Sequence, residues 1–175
     1  TQVVDGAWHH IAMTYNAANG SNALYIDGRP DGSIPGISGN IEYGGTPQPL
    51  TIGAWWPVVI ERFNGLIDDV RVYNRALTGD EVKRLYKIGG TLHVNTQINN
   101  DSLSKGLVGW WSFDGKDMAG NTAYDRSGSS PANNGTLTNG PTRTIGKLGQ
   151  ALSFNDLNQT IGNSSRDFSS TQGGN

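Results

Sequence analysis

The chain has 175 residues, with 13 basic and 15 acidic side chains, three histidines and no cysteine, for a formal net charge of −2. So even a balance offers no field to hold a polyanion, which argues against nucleic acid as a partner. The missing cysteines exclude a disulfide framework, a thiolate metal site and a cysteine nucleophile. Gly, Asn, Ser and Thr supply 70 of the 175 residues, against three glutamates, which excludes an all-helical protein or a coiled coil. The longest apolar run, residues 54–60, is broken by Pro57, whereas a spanning helix needs about 20 residues. No membrane insertion is expected, and the first five residues show no signal-peptide pattern.

Short alternating runs between turn residues dominate, the signature of strands. Trp8 to Tyr15 is the first, with Ile11, Met13 and Tyr15 on one face. Asn19-Gly20 marks a tight turn because both residues tolerate positive φ. Ala23 to Ile26 is the next strand and runs into Asp27-Gly28, a second turn signal. Leu50 to Ala54 alternates in the same way. Leu66 to Tyr73 is apolar on both faces and is expected as one central strand. Asp68 would share the face of Val70 and Val72, where a carboxylate is costly unless paired, hydrogen-bonded or metal-bound.

Thr78-Gly79-Asp80-Glu81 fits a capping box. It predicts one short helix over 79–88, with Val82, Leu85 and Tyr86 on its apolar face and Gly89-Gly90 at its end. Residues 90–105 are polar and read as a linker. Leu107 to Phe113 is a strong strand carrying Trp110 and Trp111. Residues 121–143 read as a loop-rich stretch, Ala151 to Phe154 as a further strand, and residues 164–175 as a polar tail.

Three sets of residues carry a family likeness. Trp8-His9-His10-Ile11-Ala12-Met13-Thr14-Tyr15 followed by Leu24-Tyr25-Ile26-Asp27-Gly28 resembles the tryptophan-histidine hairpin of LamG-like (laminin G type) domains, which belong to the concanavalin A-like lectin/glucanase superfamily. Residues 63–78 with Glu81, Val82, Leu85 and Tyr86 resemble the closing strand and terminal helix of that domain. Residues 106–113, Asp125-Arg126-Ser127-Gly128, Asn134-Gly135-Thr136-Leu137 and residues 149–154 resemble its opening strands. The resemblance implies an all-β, jelly-roll antiparallel β-sandwich with one short helix.

The order is inverted, the closing half coming first. Residues 1–89 then read as the C-terminal portion of one module, 90–105 as linker, and 106–175 as the N-terminal portion of a second, as in a tandem repeat. The rival reading has the two halves pairing with each other as a permuted sandwich, since unpaired sheet edges are prone to aggregate.

For sites, the resemblance implies a calcium loop at Asp125 with Asn133 or Asn134, and an acidic position at Asp68 on the closing strand. Twelve aspartates against three glutamates and oxygen-rich loops suit a hard cation as a structural cofactor. The alternative is that Asp125 caps a turn by an Asx hydrogen bond and Asp68 accepts backbone N–H groups. Aromatic platforms for a sugar would be Trp55, Trp56 and Tyr43, while Trp8, Trp110 and Trp111 are expected in the core.

Catalysis is not expected. Glu42, Glu61 and Glu81 are isolated, and Asp68 and Asp69, being adjacent, would point to opposite faces of a strand. They cannot form the paired carboxylates of a glycosidase. His9 and His10 diverge in the same way, and no G-x-S-x-G or phosphate loop occurs. The resemblance therefore implies a non-catalytic recognition or adhesion module of an extracellular or cell-surface protein, whose partners are polysaccharide or glycoprotein glycans and neighbouring modules. A ligand-free spacer, or an accessory region of a glycoside hydrolase, are the other readings.

Overall fold

The computed structural model describes residues 2–34, 39, 50–54, 62–90, 102–155 and 159–163. Among these are thirteen short strands, paired antiparallel, and one α-helix, so the all-β expectation holds. They fall into two compact units. One joins Thr1–Ile41 to Arg75–Gly106, and the other joins Glu42–Asn74 to Leu107–Asn175.

The first unit holds a three-stranded sheet of β1 (Ile11–Asn16), β2 (Ser21–Ile26) and β3 (Arg29–Gly32). Asn19-Gly20 turns β1 into β2 as its chemistry predicts, with Asn16 and Asn19 side chains accepting the Ala18 and Ser21 N–H groups at 3.0 Å each. The strand begins at Ile11 rather than Trp8. The His10 N–H is directed at the Asp27 carboxylate, 3.0 Å away, instead of a ladder carbonyl. Asp27 and Gly28 make the second turn with φ of 51° and 72°. A side chain at Gly28 would also meet Tyr86 at 3.1 Å, so this turn suits glycine twice over.

The helix α1 (Gly79–Gly90) starts where the capping box places it. Thr78 N–H donates to Glu81 Oε2 at 2.9 Å, and Glu81 N–H donates back to Thr78 Oγ1 at 3.3 Å. Val82 and Leu85 are buried, while Tyr86 is 41% exposed and lies beside the Asp27-Gly28 turn. Arg75 grips Glu81 with two bonds of 2.8 Å and also donates to the carbonyls of Ser102 and Lys105. This fastens the helix start to residues 102–106, which form a turn with Leu103 buried; that end of the expected linker is therefore packed structure. Arg75 holds the Glu81 carboxyl at about 2, well below the usual range. Glu81→Gln is expected to lower stability by about 1–3 kcal/mol, because Arg75 keeps its place but loses its charge partner. Acid unfolding checks this: the wild-type advantage is fully present above the ordinary glutamate range and disappears as pH falls towards 2.

The second unit is a sandwich. Its strands are β4 (Leu50–Ile52), β5 (Asn64–Ile67), β6 (Val70–Tyr73), β7 (Leu107–Trp111), β8 (Met118–Ala119), β9 (Thr122–Ala123), β10 (Gly135–Thr138), β11 (Thr142–Ile145), β12 (Gln150–Asn155) and β13 (Thr160–Asn163). One sheet runs β4-β13-β10-β9-β8, another β11-β12-β5, and β6 pairs with β7. Trp111, Phe113, Met118, Ala123, Leu137, Leu152, Phe154 and Ile161 form the core, with Leu50, Ile52, Ile67, Val70 and Val72 packed against them. Segments far apart in the chain thus close one hydrophobic layer: β4 pairs with β13, β5 with β12 and β6 with β7.

One expectation changes here. Leu66 to Tyr73 is not one strand but β5 and β6, broken at Asp68-Asp69, where Asp69 has φ of 51°. The left-handed residue interrupts the alternation, and Asp68 at the break accepts the Leu148 N–H at 2.8 Å. The stretch 121–143 is loop-rich as expected, most of it lying outside strands. It supplies β9, β10 and the start of β11, whose Thr and Gly residues carry little apolar alternation.

Candidate functional site

Asp125, Asn133 and Asn134 come together in one loop beside β7. The Asp125 carboxylate accepts four hydrogen bonds: Trp110 N–H at 3.0 Å and Ser127 N–H at 2.8 Å on Oδ1, Ser127 Oγ–H and Asn133 N–H at 2.9 Å each on Oδ2. Asn134 Oδ1 accepts the Asp125 N–H at 3.0 Å. The loop reaches β7 elsewhere too. Arg126 N–H donates to the Trp110 carbonyl at 2.8 Å, and Asn133 Nδ2 and Ser129 Oγ donate to the Val108 carbonyl at 2.6 and 3.0 Å. β7 has β6 on one edge, and the loop satisfies the other edge as a strand would, protecting an otherwise open ladder.

Asn133 is buried at 3% exposure, and its carbonyl accepts the Trp111 indole N–H at 2.9 Å. Its Oδ1 is a buried oxygen with no hydrogen-bond partner.

Asp68 is held elsewhere, by the turn between β11 and β12, through Leu148. Its other oxygen is buried without a partner. Burial pushes the carboxyl up to about 6, against hydrogen bonds from Leu148 and Lys147 and with repulsion from Asp69 and Asp114. The closing strand and the Asp125 loop do meet, but on Trp110 and through Asp69. Trp110 Nε1–H donates to Asp69 Oδ1 at 2.6 Å, Arg71 pairs with Asp69 at 3.0 Å, and the Arg71 guanidinium stacks 4.7 Å from the Trp110 ring centre. Sequence reasoning did not single out Asp69 or Arg71 for a role here. The available signal was the Asp doublet inside an apolar run, which marks a strand break.

The folded state binds the Asp68 proton more tightly than the unfolded chain does. Its favourable contribution is present below the ordinary value of 3.8 and is lost as pH rises to about 6. Asp68→Asn keeps an acceptor for Leu148 and carries no charge. Melting temperatures measured from pH 4 to 7 are expected to diverge, the variant gaining on the wild type as pH rises; parallel curves would contradict this.

Two further described acidic groups of this unit are hydrogen-bonded as well. Asp117, 3% exposed, accepts Ser112 Oγ–H at 2.6 Å and pairs with Arg126 at 2.5 Å. Asp114 Oδ1 accepts the Gln150 N–H at 2.9 Å. Among the described residues no group of three or more His, Asp or Glu is arranged to hold a metal ion.

For the calcium implied by resemblance, the Asp125 carboxylate offers no free position, since its two oxygens accept four protein donors and Asn134 Oδ1 accepts a fifth; of these loop oxygens Asn133 Oδ1 alone has no donor. Trp55, Trp56 and Tyr43 lie outside the described residues. Of the other tryptophans, Trp111 is in the core, while Trp8 and Trp110 are partly buried. Phe63 and Tyr124 are exposed aromatic rings of the second unit.

These features define an antiparallel β-sandwich class of protein with one α-helix among the described residues. Residues 1–83 match a laminin G-type family model described as Concanavalin A-like lectin/glucanases superfamily. The match spans β1 to β6 and the beginning of α1. No solved structure matches the chain at a significant level. No helix among the described residues is long and apolar enough to cross a membrane.

Proposed function

We propose that the chain is a non-catalytic recognition or adhesion region of an extracellular or cell-surface protein, binding polysaccharide or glycoprotein glycans. The observation that carries this reading is the use of the acidic side chains. Asp69, Asp114, Asp117 and Asp125 are each tied to a tryptophan, arginine, serine or backbone donor. Such groups are not free to act as the nucleophile and acid/base pair of a glycosidase. The family of residues 1–83 supports a sugar as the ligand class, although fold alone does not determine ligand.

Calcium has no part at Asp125 in this reading, since the Asp125 carboxylate already accepts four hydrogen bonds. Melting in excess chelator and in millimolar calcium is expected to give the same midpoint.

Affinity electrophoresis against a panel of polysaccharides, with a glycan array for glycoprotein sugars, tests the proposal. Retention on at least one glycan, without release of reducing ends, is the expected result. No retention on any would overturn it in favour of a spacer, and reducing-end release abolished by changing one carboxylate would overturn it in favour of an enzyme.

A further inference from the structure

The first unit contains a histidine whose two ring nitrogens both face carboxylates. His9 Nδ1 lies 2.8 Å from Asp27 Oδ2, and Nε2 lies 3.1 Å from Asp5 Oδ1. Asp27 belongs to the turn between β2 and β3, and it is fixed there by the His10 N–H on its Oδ1 and by its own N–H on the His10 carbonyl at 2.8 Å. Asp5 belongs to the segment that leads into β1, and its Oδ1 also accepts the Ala7 N–H at 2.9 Å. A neutral imidazole has one N–H and one lone pair. It can donate to one of these carboxylates only, and then sets its lone pair against the other. The imidazolium donates to both.

We propose that His9 is a proton-operated catch, which as imidazolium ties the segment around Asp5 to the Asp27 turn and on losing its proton releases Asp5. Asp27 keeps its contact after release. It is the closer and less exposed of the two carboxylates, so the remaining proton stays on Nδ1. The other groups near this turn are His10, the following Arg29, and Lys83 and Tyr86 of α1 beside Gly28. His10 adds to the field at Asp27, and its ring faces Tyr86 at 6.2 Å.

The direction of each titration agrees with the catch. Hydrogen bonding to Asp27 and then to Asp5 raises His9 above its ordinary range. The Ala7 N–H and then His9 lower Asp5. Burial raises Asp27, but the bonds from His10 N–H and His9 outweigh it and leave it lowered. The catch is therefore closed from above the lowered carboxylate values up to the raised His9 value. It opens on the alkaline side as His9 deprotonates, and on the acid side as Asp5 and Asp27 protonate.

Ring-nitrogen NMR of the whole chain, titrated together with amide-exchange protection at Ala7, tests this. In the wild type, His9 is expected to titrate above an unperturbed imidazole, about 6.5, and the protection factor at Ala7 to fall several-fold through the same midpoint. Asp5→Asn, on an exposed side chain that keeps its bond to Ala7, is expected to lower the His9 midpoint and make the Ala7 protection factor independent of pH in that range. A wild-type His9 that titrates at or below the unperturbed value would overturn the catch. So would Ala7 protection that stays flat through the titration, or a His9 midpoint unmoved by Asp5→Asn.

Discussion

Trp111→Ala is expected to destabilise the protein by about 3–5 kcal/mol, the range for removing a fully buried large aromatic. Trp111 is 1% exposed and sits in the core with Phe113, Leu137 and Ile161. The cavity would collapse poorly, because the backbone around it is already close. A Cβ added at Gly109 would lie 2.6 Å from the tryptophan ring, so this strand position is a glycine to admit the indole. The substitution also strips the Asn133 carbonyl of its donor, the indole N–H at 2.9 Å. Trp111→Phe retains most of the volume and loses that bond, so a smaller loss of about 1–2 kcal/mol is expected. Urea unfolding measures both, with a lowered midpoint and an unchanged slope for the smaller change.

Asp125→Ala is the second large effect, expected at about 2–4 kcal/mol, because it removes an acceptor and leaves its donors facing no oxygen. Three are backbone N–H groups, from Trp110, Ser127 and Asn133. The loss falls on the edge of β7, so the variant is also expected to aggregate more readily on partial unfolding. Asp125→Asn keeps one acceptor oxygen and is expected to lose about half as much. Measured in chelator and in calcium, the loss should be the same. A penalty present only with calcium would show that the carboxylate's main partner is a cation.

Asp125 also shows how far residue types reach. Asp125-Arg126-Ser127 and Asn133-Asn134 point to an oxygen-rich loop, and the structure gathers these residues into one. Oxygens that suit calcium suit N–H donors equally, and the decisive donor, Trp110, is fifteen residues away in the chain. Local pattern could not decide between them.

Elements with short-range chemistry were readable: the Asn19-Gly20 and Asp27-Gly28 turns, and the Thr78–Glu81 box that opens α1. The break at Asp68-Asp69 was not. Aspartate adopts positive φ only occasionally, and the surrounding apolar residues read as continuous strand. β9 is not legible for a different reason, since a two-residue strand of Thr and Ala acquires its pairing from tertiary neighbours rather than from propensity. The His9 catch depends on Asp5 and Asp27, the second of which reaches it through the hairpin and not through adjacency.

The sandwich of the second unit rests on β4, β5 and β6 pairing with β13, β12 and β7 within a single chain. Cross-strand backbone NOEs on a dilute, isotopically labelled sample test this most directly. Contacts pairing Leu152 with Ile67, Ser153 with Leu66, and Val70 with Trp111 are expected, unchanged on dilution. Their absence, or their appearance only between differently labelled chains in a mixed sample, would contradict it.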